Sequence, residues 1–248
     1  MFGTRRGSEG KPGGSAEDRF KTLVRAWRKR RLRPVLLVCI IFGVAFRAAG
    51  YAVSGDMKFW FGTLMGSVMA VYIALRDSPP NYIEKWRMGF EGEKQTAKEL
   101  KRLSKHPDWF VRHDIVREDR ANRDHVAVGP AGVFLMDSKN FSGIGSVESD
   151  GLHVRQVEDP ADGWTCEGLG TRMRAWGAEL GESIRTATDV AVWVQPVVVL
   201  WMDFPPKVLE SSGVFYVEGK SLGDWLAGRP LSKKPFDSRR VVEFLRSA

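Results

Sequence analysis

The fold is decided by the stretch Asn122–Asn140, which reads NRDHVAVGPAGVFLMDSKN. Two short apolar runs, Val126–Val128 and Val133–Met136, flank the four residues Gly129–Gly132. Apolar runs separated by a Gly/Pro-rich connection are typical of two strands joined by a tight turn. The stretch therefore predicts an antiparallel hairpin, and the rest of the chain is interpreted from it.

Polar residues lie at the open end of this predicted hairpin. Asp124 opens the first strand, and Asp137, Ser138 and Lys139 close the second, so antiparallel pairing would bring them to one end. Alternate side chains of a strand share a face, so Asp137 and Lys139 point the same way. Carboxylates are ligands for a hard cation, and we expect a backbone carbonyl from Ser138 and a water-positioning ammonium from Lys139.

A third acid is expected from the helix that precedes the hairpin. Glu93 follows a glycine at the predicted helix start and is the first candidate, with Glu91 as the second. Three acids and a lysine are able to bind one or two Mg²⁺ ions and orient water for phosphodiester hydrolysis. Without the cation the acids repel one another and should cost stability. The alternative is that Asp137 is an ordinary turn acid and Lys139 an ordinary strand-end lysine.

The motifs Gly89–Glu93, Asn122–His125 and Gly132–Asn140, with Gly143 after them, resemble the nuclease-related (NERD) domain, a branch of the PD-(D/E)xK nuclease-like superfamily. The resemblance covers roughly Gly89 to Trp201. It implies a mixed central sheet flanked by helices, with a restriction-endonuclease-like core. It also implies DNA cleavage that depends on Mg²⁺ or Mn²⁺. The matching catalytic positions are Glu93, Asp124, Asp137 and Lys139, and the matching metal positions are Asp124, Asp137 and Glu93.

Charge is unevenly distributed along the 248 residues. The net charge is +8 and the isoelectric point is near 9.6. Residues 1–33 hold eleven basic against three acidic residues, whereas residues 77–248 hold 24 basic against 26 acidic residues. A basic isoelectric point commonly indicates nucleic-acid binding, but here it reflects a terminal flank and carries no such argument. The two cysteines, Cys39 and Cys166, provide neither a disulfide framework nor a cysteine metal cluster.

Two apolar segments, 34–53 and 59–75, are long enough to predict a transmembrane helical hairpin within residues 34–76. The basic residues before the first segment place both termini in the cytoplasm by the positive-inside rule. The predicted organisation is a disordered and basic juxtamembrane tail over 1–33, this hairpin, a linker over 77–88 and the nuclease-related domain over 89–248. The predicted location is the cell membrane, with two spans and a cytoplasmic C-terminal domain. The alternative for the apolar pair is a buried hairpin of a soluble helical domain.

Periodicity and turn residues predict the remaining elements as an alternation of helices and strands, which indicates an α/β domain. The predicted helices are 92–104, 168–188, 221–227 and 238–247, and the predicted strands outside the hairpin are 109–116, a pair within 146–157, 190–201 and 214–217.

Several residues near these elements have specific expectations. His125 is more typical of a structural hydrogen-bonding histidine than of a metal ligand, because no partner histidine has metal spacing. Gln195 is a candidate to approach the site from the 190–201 strand. Apolar neighbours predict core positions for three of the tryptophans, and two others are kept as surface contacts. The core set is Trp109, Trp193 and Trp201, and the surface set is Trp164 and Trp176.

Two hypotheses follow from the sequence. The first is a membrane-anchored, metal-dependent nuclease, endo- or exonucleolytic, whose partners are DNA and the lipid bilayer. The second is a non-catalytic, membrane-tethered module that retains the nuclease fold and binds a nucleic acid or a protein. The intact acids and lysine favour the first hypothesis.

Overall fold

The computed structural model describes residues 7–9, 14–50, 62, 65–67, 69–70, 80–115, 123–159 and 162–247. The chain divides into two compact units. The first unit comprises Met1–Glu17 and Arg87–Ala248, and the second comprises Asp18–Trp86. The β-hairpin predicted from Asn122–Asn140 and all the candidate site residues belong to the first unit.

Nine strands and five α-helices are described. The strands are β1 (Gly7–Glu9), β2 (Phe110–Ile115), β3 (Arg123–Gly129), β4 (Gly132–Glu148), β5 (Gly151–Arg155), β6 (Gly163–Cys166), β7 (Val194–Asp203), β8 (Val208–Ser211) and β9 (Val214–Glu218). The helices are α1 (Gly14–Gly50), α2 (Asn81–Leu103), α3 (Leu169–Thr188), α4 (Leu222–Ala227) and α5 (Ser238–Ser247), with a 3₁₀ turn at Gly219–Ser221.

The strands form one mixed sheet in the order β1-β2-β3-β4-β7-β9-β8, and β5 with β6 extends from β4. The pairs β2–β3 and β3–β4 are antiparallel, whereas β4–β7 and β7–β9 are parallel. Parallel neighbours need crossover connections, and α3 supplies the one between β4 and β7. The mixed α/β sheet implied by the resemblance is confirmed.

Helices cover both faces of this sheet. On one face the apolar residues of α3 and α5 pack on one set of strand side chains, and on the other face α2 and α4 pack on the alternate set. The alternation follows from the two-residue repeat of a strand. Neighbouring β4 residues illustrate it, because Leu135 belongs to the α3 side while Phe134 and Met136 belong to the α2 side. The core is therefore a three-layer α/β/α arrangement.

The hairpin predicted from Asn122–Asn140 is confirmed. Gly129 pairs with Gly132 across the turn, and His125 pairs with Met136 farther along. The prediction that the second strand closes at Asp137–Lys139 is wrong, because β4 runs on to Glu148. Past an irregularity between Asn140 and Ile144, the strand also pairs with β5, while Ile144 still pairs with Asp203 of β7. The site residues of β4 thus lie within a long strand, at the level where β3 begins.

Part of the predicted linker over 77–88 is helical. The Pro80 carbonyl accepts hydrogen bonds from the Ile83 and Glu84 amides, and α2 runs from Asn81 to Leu103. Proline is favoured at a helix start, where its missing amide costs nothing. The helix that carries Glu93 therefore begins more than two turns earlier than the glycines at 89 and 92 predict.

The predicted tail and apolar hairpin fall only partly on described residues. Within the tail, Gly7–Glu9 forms a short strand beside β2 through backbone pairing, and α1 extends from Gly14 to Gly50. Most of the predicted second span, 59–75, lies outside the described residues. Among the helices that the structure describes, none has a stretch long and apolar enough to cross a membrane. The transmembrane hairpin is thus not supported by the described part of the chain.

The tryptophans differ in their exposure. Trp109 is buried and Trp201 packs against the α2-side core, as predicted. The core prediction is wrong for Trp193, which is 68% exposed, because β7 begins only at Val194 and Trp193 lies outside the sheet. Trp164 is exposed as predicted and stacks edge-on against Phe141 with ring centroids 4.5 Å apart.

Candidate active site

Asp124 and Asp137 are neighbours across the β3–β4 ladder. His125 pairs with Met136, and the same register one position farther along places Asp124 opposite Asp137. Asp124 Oδ2 accepts a hydrogen bond of 2.9 Å from the Ser138 amide. The main chain of β4 therefore holds the carboxylate of β3. The observed contact of Ser138 with the site is made by its backbone amide, while the predicted role of its carbonyl stays a prediction.

Lys139 forms an ion pair with Asp137. Lys139 Nζ lies 2.6 Å from Asp137 Oδ2, and the side chains are 25% and 12% exposed. Burial on its own would lower the pKa of Lys139, but the carboxylates of Asp137 and Asp124 raise it above its ordinary value. Lys139 is consequently a fixed positive charge at neutral pH and has no tendency to act as a base.

Glu93 of α2 lies within electrostatic reach of these groups. Burial, followed by the negative charges of Asp114 and Asp137, raises the pKa of Glu93 to about 7, and Lys139 opposes the shift. The alternative acid, Glu91, points elsewhere and forms a surface ion pair with Arg87. The structure thus brings Glu93 to the cluster and leaves Glu91 out of it.

The same crowding acts on Asp124. Burial raises the pKa of Asp124 well above its ordinary value, with further contributions from Asp137 and Glu93, while Lys139 and the Ser138 amide oppose it. Like charges close together in a region of low dielectric disfavour simultaneous ionisation. One lysine only partly compensates for these acids, so the cluster attracts additional positive charge.

Close approach of α2 to β4 depends on Gly92. A side chain at this position would place its Cβ 2.8 Å from Asn140 Cβ, a distance that real contacts do not reach. Asn140 in turn donates a hydrogen bond of 2.9 Å to the Met88 carbonyl. The glycine that precedes Glu93 therefore allows the helix to lie directly against the strand that carries Asp137 and Lys139.

Asp114 is a neighbour of the site that the sequence did not reveal. It lies in β2 between the His113–His125 and Ile115–Arg123 pairs, and so opposite Asp124. Its φ of 51° is left-handed, a conformation uncommon outside glycine but better tolerated by Asp and Asn. The only available signal was a single acid within the strand FVRHDI.

A histidine pair lies on the α2 side of the same strands. His113 Nδ1 and His125 Nδ1 are 2.7 Å apart, so one imidazole donates to the other. Burial lowers the pKa of His113 to about 4, with Arg112 contributing, and burial followed by His113 lowers the pKa of His125 well below its ordinary range. Both rings are neutral at pH 7, and His125 has the structural role that the sequence predicts.

Two further residues near the hairpin have partners away from the site. Gln195 pairs with Phe134 across the β4–β7 ladder, about 10 Å along the strand from Asp137, and its side chain donates to the Gly213 carbonyl. The expectation that Gln195 approaches the site is therefore wrong. Arg123, at the start of β3, is buried and forms an ion pair of 3.3 Å with Glu179 of α3.

The carboxylate oxygens at this site are suitable ligands for a hard divalent cation, although the side chains are not arranged as a complete metal site. Among the residues that the structure describes, no group of three or more His, Cys, Asp or Glu side chains is placed to hold a metal ion. Asp137 Oδ2 is nevertheless shielded from solvent, with the ammonium of Lys139 beside it at 2.6 Å. Mg²⁺ is commonly bound by one or two carboxylates, and water molecules complete its coordination shell. Asp124 and Asp137 are able to supply these two carboxylates.

The fold and these residues define a class: a mixed α/β domain with an acidic cluster and a lysine at the junction of three strands. Comparison with protein families matches residues 88–201 to the nuclease-related domain, NERD. The resemblance to a nuclease-related domain is therefore confirmed over residues 88–201. No curated protein and no solved structure shows a significant match to the chain.

Proposed function

We propose that the protein hydrolyses phosphodiester bonds of DNA in the presence of Mg²⁺ or Mn²⁺. The observation that carries the proposal is the ion pair of Lys139 with Asp137 beside Asp124 and Glu93, whose pKa values are raised by burial and by neighbouring acids. Perturbed titratable groups at a charged rim are characteristic of catalytic sites. The family match supports a nuclease-related function over the same residues.

Each site residue has a distinct role in the proposed hydrolysis. Asp124 and Asp137 would hold the cation, which when bound supplies Lewis-acid stabilisation of the phosphate charge. Lys139 keeps its proton, positions the attacking water and stabilises the negative charge that develops on the phosphate. Glu93 completes the carboxylate set. Its carboxylate is placed to accept a proton from the attacking water.

Cleavage by the purified full chain tests this function. With Mg²⁺ or Mn²⁺ we expect supercoiled plasmid and single-stranded DNA to be cut, and EDTA should stop the reaction because the acids then lack their cation. Gel electrophoresis of both substrates, with matched RNA, measures the activity and its preference. Asp137→Ala should abolish it, whereas Asp203→Ala, at the exposed end of β7, should not.

The alternative function gives a different pattern. A binding module would retain DNA in a filter-binding or gel-shift assay without cutting it under any divalent cation. Cleavage that survives Asp137→Ala would contradict the nuclease assignment, because the activity would then come from elsewhere or from a contaminant.

A membrane tether is a further part of the proposed function. It is supported by the apolar sequences 34–53 and 59–75 and by an exposed apolar stripe on α1. The stripe consists of Leu37, Ile40, Ile41 and Val44, each between 55% and 65% exposed. Spacings of three and four place these side chains on one helix face, and such a face is typical of contact with lipid or another apolar surface.

Membrane association is tested by fractionation of cells that express the full chain. We expect the protein in the membrane pellet after washing with carbonate and high salt, and in the detergent extract. The quadruple variant with Leu37, Ile40, Ile41 and Val44 replaced by serine should shift to the washable fraction. Release of the unaltered protein by carbonate alone would contradict the tether.

A further inference from the structure

A buried hydroxyl joins the three elements that surround the proposed site. Thr96 of α2 is 0% exposed, and Thr96 Oγ1 lies 3.0 Å from the Gly92 carbonyl, 2.8 Å from Ser138 Oγ and 2.7 Å from Trp201 Nε1. These partners belong to α2, β4 and β7 respectively. One side chain therefore contacts the helix, the central strand and the neighbouring parallel strand.

The proton directions in this network follow from donor and acceptor chemistry. An indole N–H only donates and a carbonyl only accepts, while a hydroxyl donates once and accepts twice. Thr96 must accept from Trp201 and donate to the Gly92 carbonyl, so Ser138 Oγ donates to Thr96. With these directions all three contacts of the Thr96 hydroxyl are satisfied, and a valine in its place would satisfy none of them.

Two of the three partners of Thr96 adjoin a proposed site residue. Gly92 precedes Glu93, Ser138 separates Asp137 from Lys139, and the Ser138 amide binds Asp124 Oδ2 at 2.9 Å. Ser138 thus faces two ways, with its side chain toward Thr96 and its amide toward Asp124. A shift of Ser138 would move Asp124, Asp137 and Lys139 together.

We propose that Thr96, with Ser138 and Trp201, is a positioning network that sets the distance between Glu93 on α2 and Asp124, Asp137 and Lys139 on the hairpin. None of the three network side chains needs to touch substrate. Their function is to hold the carboxylates at the separation needed to share a cation and a phosphate. The inference rests on the proposed nuclease function for its catalytic consequence, and its structural consequence is measurable without activity.

The catalytic test compares Thr96→Val, Thr96→Ser and Trp201→Phe in the full chain. Thr96→Val and Trp201→Phe should lower kcat for DNA cleavage by about tenfold to a hundredfold, as expected for small displacements of catalytic groups. They should also raise the Mn²⁺ concentration needed for half-maximal rate, while the KM for DNA stays within about twofold. Thr96→Ser, which keeps the hydroxyl, should restore kcat to within about threefold of the unaltered chain.

Thr188→Val is the matched control. Thr188 also donates from a helix to the carbonyl four residues earlier, at 2.6 Å, but lies at the end of α3. A loss of kcat equal to that of Thr96→Val would mean that the effect is general loss of helix packing and would overturn the positioning role.

The structural test uses ¹⁵N–¹H NMR of the same variants. In Thr96→Val the Trp201 indole signal should lose its hydrogen-bonded shift, and the Ser138 amide, which reports the bond to Asp124, should move as well. Thr96→Ser should retain both signals. Unchanged Ser138 and Trp201 signals in a folded Thr96→Val protein would overturn the network. An inactive unaltered chain with the expected signals would refute only the nuclease function.

Discussion

Replacing Lys139 with methionine should lower the rate of Mg²⁺-dependent DNA cleavage by roughly 10²–10³-fold, the usual effect of removing one preorganised charge from a transition state. Lys139 is held in its protonated form by Asp137 and Asp124, which raise its pKa against the effect of burial. Its positive charge is therefore in place before the phosphate arrives and needs no reorganisation. Initial rates on a labelled oligonucleotide measure the loss.

The appropriate control for Lys139→Met is Lys98→Met. Lys98 lies on the exposed face of α2, so its replacement removes the same charge from the protein without touching the site. Equal rates for the two variants, or a loss smaller than about threefold in Lys139→Met, would contradict the role assigned to Lys139.

Breaking the ion pair between Lys139 and Asp137 should also lower the stability of the protein. This effect reports on the geometry of the site independently of catalysis. Lys139→Met leaves Asp137 without its counter-ion, and Asp137→Asn leaves Lys139 without its own. Each single variant should lose about 1–3 kcal/mol in the free energy of unfolding, less than for a fully buried pair because both side chains keep some exposure. The double variant should lose less than the sum of the two, which urea titrations of all four proteins would establish.

The parts of the fold predictable from sequence are those with local signals. The Gly129–Gly132 turn between two apolar runs determines the hairpin. The spacing of Met173, Leu180 and Ile184 by seven and four residues predicts α3, and those residues lie on its buried face. Turn chemistry and periodicity are short-range properties of a chain. They establish which segments are strands and helices, and they put Asp124 and Asp137 on neighbouring strands.

The extent of β4 and the presence of β6 were not predictable in this way. Asn140 to Gly143 has the composition of a strand end, but Gly143 adopts a φ of 115° that lets β4 continue toward β5. β6 is only four residues long and largely exposed, so it carries no hydrophobic alternation. Its pairing with β5 is a product of tertiary structure rather than of local preference.

The candidate site shows the same division between local and long-range signals. Asp137 and Lys139 share a strand face, and their ion pair follows from the two-residue repeat. The contact of Thr96 with Trp201 joins residues 105 positions apart, and no local pattern contains it. Asp114 was missed because its position opposite Asp124 depends on the β2–β3 register, which the sequence leaves open.

Replacing Glu93 with glutamine should stabilise the metal-free protein above pH 7 while abolishing cleavage. The pKa of Glu93 is about 7 in the folded chain against an ordinary value of 4.5. Between these pH values the folded state binds more protons than the unfolded state, so stability falls as pH rises through this window. Glutamine resembles the protonated acid and does not incur this loss. The variant should therefore exceed the unaltered chain by up to about 3 kcal/mol at pH 8 and match it below about pH 4.5.

Urea unfolding from pH 4 to 9 measures this difference. The contribution of the His113–His125 pair to the pH dependence is the same in both proteins and drops out of the comparison. Glu91→Gln, two residues earlier on α2 and at the surface beside Arg87, should leave the pH dependence of the unfolding midpoint unchanged. Added Mg²⁺ should stabilise the unaltered chain more than Glu93→Gln, since a cation relieves the repulsion that the variant lacks. Parallel stability curves for the two proteins across this pH range would show that neither burial nor the charges of Asp114 and Asp137 raise the pKa of Glu93, and would remove it from the site.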